Sequence, residues 1–121
     1  MIDELSKIEY ELDNPKGTKL KYDEFKKYEI PPKIKGQWIF RFENNYGASV
    51  VKRFGSYGYN EDLFEMAVIR FFDDSNNFYI TYKTSIARNV IGYLNNNEVI
   101  QYLREIQKIG GLDGNEFSNH K

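Results

Sequence analysis

The sequence predicts an α+β domain: an antiparallel β-meander of about four strands, a C-terminal helix packed on one face, and a short N-terminal helical arm. Three observations predict it. Residues 37–83 hold short apolar runs that alternate with a period of two and are broken by turn residues. Residues 95–109 carry apolar positions at a period near 3.6. Aromatic residues, ten Tyr, nine Phe and one Trp, make up 17% of the chain, and such residues favour strands and build cores from few positions.

Residues 1–36 form a charged stretch with eight acids and eight bases. Ile2, Leu5, Ile8 and Leu12 recur every three to four residues, which predicts a short amphipathic helix capped by Asp3 and stopped by Asn14-Pro15-Lys16-Gly17. Its narrow apolar stripe is expected to cover the chain's own sheet rather than another chain. Tyr22, Phe25 and Tyr28 make a second short stripe before the extended link at Pro31-Pro32.

The sheet begins at Trp38-Ile39-Phe40-Arg41-Phe42-Glu43, with Trp38, Phe40 and Phe42 on one face. Asn44-Asn45 signals a turn, Gly47 offers a positive φ, and the chain returns through Ala48–Arg53 as a hairpin. A nine-residue loop, Phe54–Asp62, follows with two glycines and three aromatics. Leu63–Phe72 is apolar on both faces, as a central strand covered on both sides would be. After the turn Asp73–Asn77, the run Phe78–Lys83 completes the meander, with Phe78, Ile80 and Tyr82 on one face. Ile86–Leu94 reads as a turn of helix or irregular chain.

Asn95 with Glu98 three residues on is a capping box, and Val99, Tyr102, Leu103, Ile106 and Ile109 form the stripe of the helix that follows. Gly110-Gly111 signals its end, with Leu112 as the accompanying apolar contact. The domain therefore extends over residues 37–112, and the polar residues 113–121 read as a disordered tail.

Composition narrows the function. With 17 basic against 18 acidic residues the net charge is −1, which disfavours both direct nucleic-acid binding and an acidic DNA mimic. Without cysteine there is no disulfide, no thiolate metal site and no thiol nucleophile. The lack of a membrane-length apolar run and of a signal-peptide pattern leads us to expect a cytoplasmic protein with no membrane partner.

The one histidine, His120, falls in the tail, where it has no fixed geometry for acid–base work. The carboxylate pairs Asp73-Asp74 and Glu61-Asp62 read as solvated turns. Gly55-Ser56-Tyr57-Gly58 lacks the pattern and the following helix of a phosphate-binding loop. The expectation is a protein that is not an enzyme and has no cofactor, metal site or catalytic residue.

Binding is the remaining class. Phe54, Tyr57 and Tyr59, on a glycine-containing loop beside Lys52 and Arg53, could stack a planar ligand and pair with phosphate, or serve as hot spots for a protein. Arg88 and Asn89 form a second polar spot, where an Arg could bind an anion or a carboxylate in bidentate fashion.

Three segments carry a family likeness: Arg41–Val51 (RFENNYGASVV), Tyr57-Gly58 with Leu63–Val68 (LFEMAV), and Val90–Leu94 (VIGYL) followed by Glu98-Val99. Together they resemble a group of small phage and prophage accessory proteins with the pattern F-x-N-G-Y-G-[AV]-S-V, a Y-G loop, an E-x-A-V strand and I-G-[WY]-L before a helix. Asn45 stands where that pattern more often has Gly. The resemblance covers about residues 38–109.

It implies a viral setting, hence the cytoplasm of a host cell, and a protein that works by stoichiometric binding. The first expectation is an inhibitor of a host defence factor such as a CRISPR effector, with a host protein as partner. The alternatives are a sponge for a signalling nucleotide, holding it in an aromatic and Arg pocket that a homodimer could complete, and a structural or assembly accessory.

Overall fold

The computed structural model describes residues 4–110, with the side chains of Glu4 and Asp13 left aside. The proposed cap Asp3, the stripe residue Ile2, Gly111, Leu112 and the tail with His120 lie outside the described residues.

The chain runs α1 (Glu4–Asp13), a 3₁₀ helix (Asp23–Tyr28), β1 (Glu29–Ile30), β2 (Gln37–Arg41), β3 (Tyr46–Val51), β4 (Phe64–Phe71), β5 (Phe78–Ile80), β6 (Ile91–Leu94) and α2 (Asn96–Gln107). The sheet is antiparallel in the order β1-β2-β3-β4-β5, with β6 paired to β4 as well. The α+β class, the meander and the C-terminal helix on the sheet are as the sequence predicts.

Six strands stand where about four were expected. One addition, β1, arises in the charged stretch, where Pro31 disfavours helix at Ile30 and so leaves it extended to pair with Ile39. The other, β6, stands where a turn of helix or irregular chain was expected: Phe64 pairs with Leu94 and Met66 with Ile91 around a bulge. β4 is thus bordered on its outer side by β6 along its first half and by β5 along its second.

Alternation along the strands sorts the core into two faces. On the front, Phe40, Phe42, Tyr46, Ala48, Val50, Phe64, Met66 and Val68 join Val99, Leu103 and Ile106 of α2. On the back, Ile39, Ile69 and Phe71 are buried with Ile30 and Phe78 against them. The Lys33 ammonium lies 4.6 Å from the Phe78 ring centre, so the link after β1 reaches over this face. β4 is buried on both faces, as its apolar residues on both faces predict.

The capping box of α2 is formed in both directions, Glu98 N–H to Asn95 Oδ1 and Asn95 N–H to Glu98 Oε1, each at 2.8 Å. At its other end the Asn44 amide, from the β2–β3 turn, donates to the carbonyls of Ile106 (3.0 Å) and Ile109 (2.8 Å). One turn residue therefore closes the helix against the sheet.

Residues from Leu20 onward are integral to this unit. Leu20 and Phe25 are buried in the front core, and Tyr22 meets Phe40 edge-on at 5.3 Å. Arg104 of α2 donates to both carboxylate oxygens of Glu24, at 3.0 and 2.8 Å. By contrast, the stripe of α1 is not buried on the sheet as expected: Leu5 is 66% exposed, and Ile8 and Leu12 are half-buried. Proline 15 and Gly17, the latter at φ +103°, end the helix and turn the chain away.

Candidate functional site

The β3–β4 loop and β6 interlock through two glycines. A Cβ on Gly92 would collide with the Tyr57 side chain, and one on Gly58 would press the backbone of Tyr93. The Tyr93 N–H reaches the Tyr57 carbonyl at 3.3 Å, and the Tyr57 N–H donates to Glu65 Oε1 at 2.8 Å. The backbone beneath both tyrosines is thereby held, while their rings face outward: Tyr57 is 60% and Tyr93 59% exposed.

Tyr82, 49% exposed, joins Tyr57, Asn89 and Val90 around a shallow depression of about 400 Å³. Tyr93 sits at φ +60°, a left-handed conformation that costs a non-glycine residue about 1 kcal/mol or more. Residues held in such sparsely populated backbone regions cluster at ligand clamps and other functional sites.

Six of the seven predicted site residues separate into three groups. Tyr57 and Asn89 come together, and Arg88 is exposed beside Asn89. Phe54 is exposed at the loop tip. Arg53 and Tyr59 have structural partners: Arg53 donates to the Lys35 carbonyl at 2.7 Å, and the Tyr59 hydroxyl accepts from the Lys16 N–H at 3.1 Å.

Lys52 is a correction. It was expected on the working surface, yet it is 2% exposed. Its ammonium lies 2.6 Å from Asp62 Oδ1, 2.8 Å from the Thr18 carbonyl and 4.0 Å from the Phe64 ring centre. Asp62 also accepts from the Thr18 N–H and hydroxyl, each at 2.7 Å. Lys52 is buried because this set of acceptors replaces the water its charge would otherwise hold.

Gly47 likewise departs from expectation. Asn45, at φ +67°, makes the turn, and Gly47 lies extended within β3.

The bonds from Lys52 and Thr18 hold the Asp62 carboxyl well below its ordinary value of 3.8. A carboxyl depressed on folding stabilises the fold above its unfolded value, and that contribution is lost as pH falls through the folded one. Wild type should therefore be more stable than Asp62→Asn at neutral pH, and the gap should close as acid is added from pH 5 downward. Thermal melts of both proteins across that range check it; a gap independent of pH would show that the carboxylate charge is not what Lys52 and Thr18 hold.

Little in the local sequence marks Tyr82 or Tyr93 as a site residue. Tyr93 stands in the I-G-Y-L segment, where a ring beside a glycine was the available signal. Tyr82 was assigned to a strand face with Phe78 and Ile80, but β5 ends at Ile80 and Tyr82 belongs to the connection that follows.

No family model matches the chain, and neither a curated protein nor a solved structure does. No helix among the described residues is long and apolar enough to cross a membrane.

Proposed function

We propose that this protein acts by stoichiometric binding to another protein, without turnover, through the surface formed by Tyr57, Tyr82 and Tyr93 with Asn89. The carrying observation is a set of three exposed tyrosine rings: Tyr57 and Tyr82 line one depression, and Tyr93 stands on backbone that interlocks with that of Tyr57. Tyr is among the residue types most favoured at the centres of protein interfaces: it offers a large rigid area and a hydroxyl while losing little rotamer freedom.

Among the described residues no group of three His, Cys, Asp or Glu gathers as metal ligands would, and the acidic turn at Asp73 is occupied with its own loop, bonding Ser75 and Asn77. With both of its carboxylate oxygens engaged in this way, the Asp73 turn reads as structural. The likeness of residues 41–51, of 57–58 with 63–68, and of 90–94 with 98–99 to phage accessory proteins supplies the biological setting of this proposal. The partner is then a host defence factor such as a CRISPR effector, met in the host cytoplasm.

A plasmid-interference assay tests this reading. Cells carrying an effector and a guide against a plasmid should regain transformation when the wild-type protein is expressed. The triple variant Tyr57→Ala/Tyr82→Ala/Tyr93→Gly should lose that protection at least about tenfold, because interface hot spots are worth roughly 2 kcal/mol each. Its melting temperature should hold, since the rings are exposed and glycine relieves the strain at position 93. A folded triple variant that protects as well as wild type would place the surface elsewhere. A wild type that neither protects nor forms a complex with purified effector would refute the assigned partner.

A further inference from the structure

A second site lies apart from the tyrosine surface and shares no lining residue with it. It is a half-open cleft of about 500 Å³, walled mainly by residues 14–19 and 35–38. Lys16, Lys19 and Lys35 line it with exposed side chains, and among the described residues none of the three ammonium groups has an ion-pair or cation–π partner. Lys52, also in the lining, is committed to Asp62.

The one carboxylate in the lining is Glu29, which accepts from the Tyr22 hydroxyl at 2.7 Å and lies 3.9 Å from Lys26. Three uncommitted cations therefore face one partnered anion, in a protein whose overall charge is balanced.

The cleft also holds Trp38. It is half-buried, meeting Phe64 edge-on at 5.8 Å on its core side. Its indole N–H has no hydrogen bond among the described residues and is not buried, so it is open to a ligand. The lysine-bearing wall is fixed in place. The Lys16 N–H is held by the Tyr59 hydroxyl, and Thr18 is held three times, by both Asp62 oxygens and by the Lys52 ammonium. Unpaired cations on a held backbone beside an aromatic ring are the chemistry that takes a planar group bearing phosphate, and the volume falls in the range of small-ligand pockets.

We infer that this cleft is a nucleotide site, in which Lys16, Lys19 and Lys35 hold the phosphates and Trp38 contacts the base. This inference stands independently of the protein-binding surface. It also moves the phosphate-binding role expected of the 54–62 loop to a site that the loop only buttresses, through Tyr59 and Asp62.

Trp38 is the only tryptophan in the chain, so its fluorescence reports on the cleft directly. ADP should quench it saturably with a dissociation constant below about 1 mM. Adenosine should bind at least about tenfold more weakly, and inorganic pyrophosphate should compete with ADP without quenching. The triple variant Lys16→Gln/Lys19→Gln/Lys35→Gln changes only exposed side chains, so it should melt as wild type does while losing at least about tenfold in ADP affinity.

Absence of quenching by ADP to several millimolar would overturn the inference, as would a triple variant that binds ADP unchanged. Equal affinity for adenosine would remove the phosphate role. Tighter binding of a thymidine decamer than of ADP would make the cleft a single-strand track instead.

Discussion

Replacing Gly47 by alanine should cost the fold at least about 3 kcal/mol, at or above the upper end of the usual overpacking range. Gly47 lies in β3 opposite Arg41, with the hairpin closed by the turn at Asn44-Asn45. A Cβ there would fall inside the van der Waals shell of the Phe40 carbonyl oxygen, and at 3.0 Å from the Phe71 ring. The first obstacle is backbone, which cannot swing aside as a side chain would. Relief would require β2 and β3 to part at the centre of the sheet, where Phe40, Ala48 and Val68 stand side by side.

Gly55→Ala is the matched control: its φ of +93° is strained for alanine, but nothing lies within 4 Å of the added carbon. It should lose only about 1 kcal/mol. Chemical denaturation of the two variants checks the difference, and a Gly47→Ala protein as stable as Gly55→Ala would contradict the β2–β3 register.

Phe25→Ala should destabilise the protein by about 3–5 kcal/mol, a large part of the 5–15 kcal/mol that holds a typical domain together. The ring is 1% exposed and meets Phe42 edge-on at 5.8 Å. Tyr28 also meets the Phe42 ring edge-on, at 5.1 Å. Removing Phe25 therefore opens a cavity at the junction between the charged stretch and the sheet.

The urea midpoint should fall with the slope unchanged, because the slope follows the surface exposed on unfolding and residues from Leu20 onward unfold with the rest. A loss under about 1 kcal/mol would mean that this stretch docks loosely. A smaller slope would mean that it has already detached in the native state, which would also dissolve one wall of the lysine cleft.

The tyrosine surface and the lysine cleft share no lining residue. Both are built on backbone that other residues hold in place: Gly58 and Gly92 under the tyrosines, and Asp62 with Tyr59 under the lysines. Asp62 is the only non-glycine residue of the 54–62 loop at positive φ, and its position there lets it serve Lys52 and Thr18 together.

Local periodicity carried much of the fold. The Asn95-x-x-Glu98 box, the stripe of Val99, Leu103 and Ile106, and the alternation of Trp38, Phe40 and Phe42 were legible because side-chain direction repeats with the backbone of each element. The double-sided apolar run of Leu63–Phe72 similarly announced a central strand.

Features that depend on distant partners were not legible. β6 is four residues long, too short to display a period, and it is a strand because half of β4's edge was open to it. Lys52 looks from its neighbours like a basic flank; its burial rests on Asp62, ten residues ahead, and on Thr18, 34 residues behind. Nor does the sequence tell Tyr46, fully buried, from Tyr57 and Tyr93, whose rings face solvent. The cleft is hidden for the same reason: its lysines belong to two stretches that meet only when β1 pairs with β2 and Thr18 docks on Asp62. Charge and aromatic content are properties of residues, whereas burial and convergence are properties of pairs separated along the chain, and folding is what brings those pairs together.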